Sequence, residues 1–497
     1  MGRKVAIIGA GFSGLSAACY LASYGYDVHV FEKHDQVGGR ARQFETPEGF
    51  RFDMGPSWYW MPDVFDEFFA DFGRSVEEFY NLRALNPQFE MVFEQNTVHV
   101  PESMAALRAL FDTIEKGAGA AFDRFMEAAK YKYEVGMKDF VTKPCHSWWE
   151  FVDLKIAKSA LKLNLLTDFR SYVRQYFTDP RLIALMEFPV IFLGAAPKNI
   201  PAMYSLMNYG GYGLGTWYPE GGFVKVAEAM ANVAKDLGVQ FHMGSPVRRI
   251  IVQEEKAVAV ELDGDSFCCD VVIGSADYQH VESLLPEGCR NYALRYWEQR
   301  TFAPSCLIYY LGFAEKIPDL QHHTLFFEHP LDDHVEAIYE NKSWPENPLF
   351  YVCCPSKTDA DVAPEGCENV FLLMPIATGL PDAEDVRERY FEAMIKRLEK
   401  HTKTTGLKEK LLYKRSYCVQ DFKEDYNAYE GNAYGLANTL RQTAVWKPSI
   451  RNKKVKNLFY TGQLTVPGPG VPPAIISGKI VAQEIKNNKQ LRYEEIV

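Results

Sequence analysis

Three glycines, two short apolar runs and one acid form the strongest chemical signal in the chain. Gly9-Ala10-Gly11-Phe12-Ser13-Gly14 follows Val5-Ala6-Ile7-Ile8 directly. A helical pattern, Leu15, Ala18, Cys19 and Ala22, comes next, and then Val28-His29-Val30-Phe31 runs into Glu32-Lys33. Each part has a task in holding a dinucleotide. Gly9 permits a tight turn, Gly11 lets a pyrophosphate approach the backbone, and Gly14 lets the helix pack close to the strand. The helix start, with Phe12 and Ser13, offers free N–H groups and the positive end of a dipole to phosphate. Glu32 lies eighteen residues beyond Gly14, where its carboxylate can accept from ribose hydroxyls. The same acid would repel the 2′-phosphate of NADP.

Further segments bring polar groups to the same place. Val37-Gly38-Gly39-Arg40-Ala41-Arg42 supplies a glycine pair and cations soon after Glu32. For Arg42 a solvated basic turn is an equal reading. Phe52-Asp53-Met54-Gly55-Pro56-Ser57-Trp58 follows. Near the other end, Leu458-Phe459-Tyr460-Thr461-Gly462 reads as a strand ending in a turn. A Gly/Pro loop then leads through Gly468-Pro469-Gly470-Val471-Pro472-Pro473 into a helical pattern at Ala474, Ile476, Ile480, Val481 and Ile485. Proline in a helix's first turn is preorganised. Pro472 and Pro473 have no N–H, so Gly470, Val471 and Ala474 are the expected free donors.

The elements that must position these residues are a buried strand, a helix and a second buried strand at the start, and a strand-to-helix turn at the end. A middle piece belongs with them. Pro219-Glu220-Gly221-Gly222-Phe223 opens a helix over 226–233, followed by strands over 239–243, 247–252 and 257–262. Val271-Val272-Ile273-Gly274-Ser275-Ala276-Asp277 then reads as a strand and turn returning to the site. The chain of 497 residues has room for two or three domains.

Apolar residues make up 47% and charged residues 24%, as in ordinary folded proteins. The net charge of −11 gives no global attraction for nucleic acid. Ten cysteines include no CxxC pair and no metal-type spacing with histidine, so no metal is expected. The doublets Cys268-Cys269 and Cys353-Cys354 read as buried free thiols on strands, which fits a reducing, cytoplasmic setting. No signal peptide is expected. Two charge-free stretches, 199–219 and 458–478, are too rich in glycine or proline to cross a bilayer as one helix, and read as buried loops and helix starts.

The glycine–arginine segment and the Gly55-Pro56-Ser57 segment, placed after the fingerprint, resemble the flavoprotein superfamily of amine oxidases, protoporphyrinogen oxidases and carotenoid desaturases. Over nearly its whole length the chain is similar to bacterial and fungal-type phytoene desaturases. Residues carrying this include Tyr218-Pro219-Glu220-Gly221-Gly222, Ala303-Pro304-Ser305, His322-His323-Thr324 and the segment 462–478. The resemblance implies an α/β fold: a Rossmann-like two-dinucleotide-binding FAD domain with an inserted mixed-sheet substrate domain and a helical, membrane-facing region. The implied boundaries are 1–90, 219–290 and 430–497 for FAD, 91–218 for the helical region and 291–429 for substrate. It also implies FAD contacts at Gly55, Pro56 and Ser57, at Val247 for the adenine, and at the helix start after Gly462 for the flavin ring. Gln463, where relatives often have an acid, and Pro473, where many have glycine, depart from the pattern.

The implied reaction removes two hydrogens from a long apolar carotenoid, with a hydride passing to flavin N5. Phytoene converted toward lycopene is the first reading, because the stretches 55–62 and 468–473 look like that branch. The alternatives are a 1-hydroxycarotenoid 3,4-desaturase, a carotene isomerase or amine oxidase on the same fold, and a prenyl-binding protein of the GDP-dissociation-inhibitor type. Reoxidation by quinone or oxygen is a family expectation. No catalytic residue stands out: Asp53, Asp277 and Glu220 lie in flavin-linked segments with structural roles equally open. Trp148-Trp149 ahead of Lys155, Ile156, Lys158, Ala160, Lys162 and Leu163 suits a helix lying in a membrane interface, with a solvated helix packed on the core an equal reading of the segment; peripheral membrane association is expected.

Overall fold

The computed structural model describes residues 2–151, 163–165, 167–191, 194–439 and 441–491. Its first sheet has five parallel strands in the order Leu458–Tyr460, Val271–Gly274, Lys4–Ile8, Asp27–Phe31, Gln240–His242. The chain therefore contributes strands to this sheet from three segments distant in sequence. Both faces are covered, which is why its central strand is an unbroken apolar run. Val5 and Ile7 pack among Leu15, Val226 and Ile480 of the flanking helices. Ala6 and Ile8 pack among Ile250 and Val260 of a three-stranded antiparallel sheet, Arg249–Gln253, Lys256–Glu261 and Ser266–Cys268.

The second sheet has seven strands in the order Leu411–Tyr417, Ser305–Phe313, Glu368–Ile376, Phe350–Cys353, His323–Phe326, Phe89–Val92, Thr97–Val100. All pairs are antiparallel except His323–Phe326 with Phe89–Val92. Period-two alternation divides its residues. Leu307, Tyr309, Leu311 and Phe313 pack with Phe391, Met394, Ile395 and Leu398 of the helix Glu384–Thr402. Cys306, Ile308 and Tyr310 face the main core, on the side of the first sheet. The boundary drawn at residue 90 falls inside the strand Phe89–Val92. That strand joins a partner more than two hundred residues away, a pairing with no local signature.

The helical region begins with Met104–Ile114 and Ala118–Val135, whose stripes Leu107, Phe111 and Phe122, Phe125, Met126, Ala129 are buried core. The charge-free stretch at 199–219 forms short helical turns, Ala202–Ser205, Leu206–Asn208 and Tyr209–Gly213, with much of it buried. Of the thiol doublets, Cys269, Cys353 and Cys354 are buried, but Cys268 is exposed. It ends the outer strand of the three-stranded sheet, whose free face meets solvent. Residues 152–162 of the interfacial segment, with Lys155, Ile156, Lys158, Ala160 and Lys162, lie outside the described residues, as does the side chain of Trp148. Trp149 is 82% exposed and Leu163 is buried. Among the described residues no helix is long and apolar enough to cross a membrane.

The fingerprint helix Phe12–Ser23 crosses the C-terminal helix Val471–Asn487 at Gly478. A Cβ on Gly478 would lie 2.6 Å from Ser16 Cβ and 2.7 Å from the Ala17 nitrogen. Neither helix can retreat without opening the core, so Gly478→Val is expected to destabilise the protein by about 1–3 kcal/mol. Denaturant unfolding of the variant checks this, and an unchanged midpoint would show that the crossing is not tight.

Candidate cofactor-binding and active site

A cavity of about 350 Å³ opens at the carboxyl ends of the parallel strands and reaches the second sheet. Gly9, Gly11, Phe12, Ser13, Glu32, Lys33, Gly39, Arg40, Gly55, Pro56, Val247, Gly462, Val471 and Ala474 all line it. Gly14 and Ser57 do not. Gly14 lies behind the turn, with no room for a Cβ between the helix and the Gly9 carbonyl, and Ser275 Oγ would be 2.8 Å away. This is the close packing its position predicts. Ser57 turns away from the cavity, and its Oγ meets the Tyr351 hydroxyl at 2.9 Å. Its neighbours Gly55 and Pro56 reach the cavity while Ser57 is taken up by the second sheet.

The fingerprint turn has its predicted form. Gly9 has φ +106° and donates to the Phe31 carbonyl at 2.8 Å. A Cβ on Gly11 would meet nothing within 4 Å, so the space above this residue is open to a ligand. Glu32 is buried, and its two carboxylate oxygens accept from Ala10 N–H at 2.8 Å and His34 N–H at 3.0 Å. Those bonds hold the carboxylate in the cavity wall and leave lone pairs for ribose hydroxyls.

Arg40 is a partly buried cation beside the two glycine segments. Its guanidinium lies over the Tyr426 ring at 4.9 Å, and Nη2 donates to the Asn432 carbonyl at 3.2 Å. Nε is buried without a partner among the described residues. Burial lowers the Arg40 pKa and raises that of Asp277, while the attraction between the two opposes both shifts. A cation this poorly hydrated, with a donor unused, matches an anionic group in the cavity. Gly39 stands against Gly11: a Cβ on Gly39 would lie 3.3 Å from the Gly11 Cα, so both glycine segments meet where a pyrophosphate would pass. Arg42 takes the other course: it pairs with Asp425 at 3.2 Å and donates to the Gly39 carbonyl.

The second helix start also faces the cavity. Gly470 has φ +112° and caps Val471–Asn487. Among the described residues nothing accepts from the Gly470 or Val471 N–H, as predicted, but Ala474 differs. Its N–H donates to the Gly470 carbonyl at 3.0 Å. Ala474 is the fourth helical residue, the first position at which the intrahelical bond closes. It therefore contributes a methyl to the wall. Gly462, φ +109°, is held by the Ser477 hydroxyl at 3.1 Å. Gln463 donates to Asn432 Oδ1 at 3.2 Å.

A model of the flavin containing amine oxidoreductase family matches residues 12–486. The chain belongs to that family. A carotenoid 3,4-desaturase of Haloarcula japonica is 39% identical over 97% of this chain and 98% of its own. A zeta-carotene-forming phytoene desaturase of Myxococcus xanthus is 30% identical over 97% and 94%. Among solved structures, an oxidoreductase from Methanosarcina mazei has a TM-score of 0.59 at 18% identity, covering 97% of this chain and all of its own (100%). Cyclohexylamine oxidase from Brevibacterium oxydans has a TM-score of 0.57 at 15% identity, covering 98% and 100%. At such identities these two share the fold.

The protein is an FAD-dependent oxidoreductase, and its cavity fits that cofactor: an open approach at Gly11, an acid for ribose, an underused cation, and two helix starts. Sequence reasoning missed part of the wall. Phe422, Asp425 and Tyr426 come from the helix Val419–Tyr426, and Cys306, Ile308 and Leu373 from the second sheet. The alternation in 305–313 could have marked Cys306 and Ile308 as one face; nothing local marks Tyr426. The three carboxylates considered as bases are committed elsewhere. Asp277 caps the helix Tyr278–Ser283 and binds Asn432. Asp53 accepts from Phe223 N–H at 2.8 Å and Gln43 Nε2 at 3.1 Å, and burial pushes it up to about 7. Glu220 pairs with Arg83.

Gly11 separates fold from cofactor binding. It has φ −75°, which any residue adopts, and its Cβ direction is empty. Gly11→Val should leave apoprotein unfolding unchanged and weaken FAD at least about tenfold, or 1.4 kcal/mol. Flavin absorbance per chain and apoprotein thermal melts read the two effects. Full flavin occupancy would show that the pyrophosphate does not cross Gly11.

Proposed function

We propose that the protein desaturates an acyclic carotenoid, with the 3,4 bond of a 1-hydroxylated carotenoid as its substrate position. The observation that carries this is the 39% identity over nearly the whole length to a carotenoid 3,4-desaturase. The phytoene reading keeps the support of short stretches at 55–62 and 468–473 and of the relative at 30% identity. An identity of 39% over nearly the whole chain weighs more than two short segments.

FAD, when bound, supplies the hydride acceptor. The chain's own residues supply position and dryness. Cys306, Ile308 and Leu373 present an apolar face of the second sheet to the cofactor cavity, suited to an apolar polyene. Two C–H bonds break and one C=C forms, a hydride and a proton leaving from neighbouring carbons. Flanking alkenes spread the developing positive charge, so orientation contributes more than a strong base. This agrees with Asp53, Asp277 and Glu220 all being bound in structural contacts. Gly9, Gly11, Phe12, Ser13, Glu32, Lys33 and Arg40 would hold the nucleotide, Val247 the adenine, and Gly462 and Val471 the ring. Peripheral membrane contact and reoxidation by quinone or oxygen complete the reading. The exposed indole of Trp149 supports the membrane contact.

Expression in two bacterial hosts tests the substrate, one making only phytoene and the other only a 1-hydroxylated acyclic carotenoid. Conversion in the second host alone, read by pigment chromatography, is expected. Lycopene-type colour in the first would move the assignment to phytoene. No conversion in either, with FAD bound, would remove carotenoids as substrates. For membrane contact, Trp149→Ala should reduce flotation with anionic liposomes; equal flotation would take that residue out of the contact.

A further inference from the structure

The register of the second sheet builds a side-chain cluster outside the cofactor cavity. Where His323–Phe326 pairs with Phe350–Cys353, His323 stands directly opposite Cys353. The His322 ring lies 4.5 Å from that of His323, nearly edge-on at 73°. All three residues are buried, and one ligating atom from each lies within 4.8 Å of the others.

Hydrogen bonding fixes which atoms are available. His322 Nδ1 meets Thr358 Oγ1 at 2.7 Å, and His323 Nδ1 meets the Tyr351 hydroxyl at 2.7 Å. Both Nε2 atoms are buried with no partner among the described residues. An orphaned nitrogen on each of two neighbouring buried rings calls for an explanation. Trp58 stacks on His323 at 4.1 Å and fixes the plane of its ring. A separate small cavity of about 20 Å³ lies against His322 and Cys353, bounded also by Ser57 and Tyr218. That is space for one small species.

We propose that His322, His323 and Cys353 bind one metal ion of the zinc class. Two imidazoles and a thiol select a borderline or soft late transition metal over magnesium or calcium, which take oxygen ligands. Ligating histidines characteristically have their second nitrogen hydrogen-bonded, which orients the ring, and both do here. Bonds of about 2.0–2.3 Å place the ligands of one zinc roughly 3.3–3.8 Å apart, so side-chain movement of about 1 Å closes the set. On binding, the Cys353 S–H gives its proton to solvent and a sulfur–metal bond forms. Water in the small cavity fills the fourth position. The ion would tie two strands together. Through Tyr351 and Ser57 it would also brace the segment whose Gly55 and Pro56 wall the flavin cavity.

The test uses the full-length, flavin-loaded protein, equilibrated with zinc and then desalted. Elemental analysis should find about one zinc per chain, and cobalt loading should give a near-ultraviolet thiolate-to-cobalt band. Cys353→Ser and His323→Gln should each lose the metal at least tenfold, and Cys353→Ser should lose the band. Cys354→Ser, a change at the adjacent buried thiol, should keep both. Flavin absorbance is read in parallel, so metal loss is separable from cofactor loss. Wild-type protein that retains no zinc and shows no cobalt–thiolate band overturns the proposal, even if the variants fail to fold. So does metal that stays bound in Cys353→Ser.

Discussion

The structure depends on one close contact, the crossing of the fingerprint helix with the C-terminal helix. Gly478 removes the side chain that would hold them apart, and Ser16 Oγ donates across the gap to the Ile475 carbonyl at 2.7 Å. Because the helices touch there, both begin at the same cavity, one at Gly11 to Ser13 and the other at Gly470 and Val471. Two sets of unpaired N–H groups, separated by more than four hundred residues in sequence, thus face one cavity. Each set is a fixed dipole that needs no reorganisation when negative charge arrives.

Charge in the site follows from that arrangement. Arg40 is held in a place where water cannot fully solvate it, between the Tyr426 ring, the Asn432 carbonyl and the more distant Asp277. Asp277 is itself used as a helix cap and as an acceptor for Asn432. The acid therefore balances the cation without neutralising it in a direct pair, and Arg40 keeps a donor for an anion. Arg42, two residues away, is consumed by Asp425, and a single turn of chain separates a cavity-facing arginine from an ion-paired one.

The second sheet applies a different rule. Its strand Ser305–Phe313 is buried along its whole length, yet alternate residues serve different layers. Odd-numbered residues pack on the helix Glu384–Thr402 and stabilise the domain, while Cys306 and Ile308 close the cofactor cavity. A change on one face would be felt as stability and on the other as the shape of the cavity.

The sequence by itself determined the fingerprint turn and the residues gathered around it in the cavity wall. Gly9, Gly11, Gly14, Glu32, Gly39 and Arg40 could be read because their tasks are local: a positive φ, an absent Cβ, an acid one strand away from a turn. The same locality exposed its limit at Ala474, where counting prolines suggested a free donor and the helix's own bonding removed it. Tertiary structure alone decided that Phe89–Val92 would join His323–Phe326, that Ser57 would turn to Tyr351, and that Tyr426 would stack on Arg40. It also set His323 opposite Cys353, thirty residues apart with no spacing that signals a shared site. Steric rules for one turn are written in the residues of that turn. Register between distant strands is fixed by the summed packing of whole faces, which no short window of sequence contains.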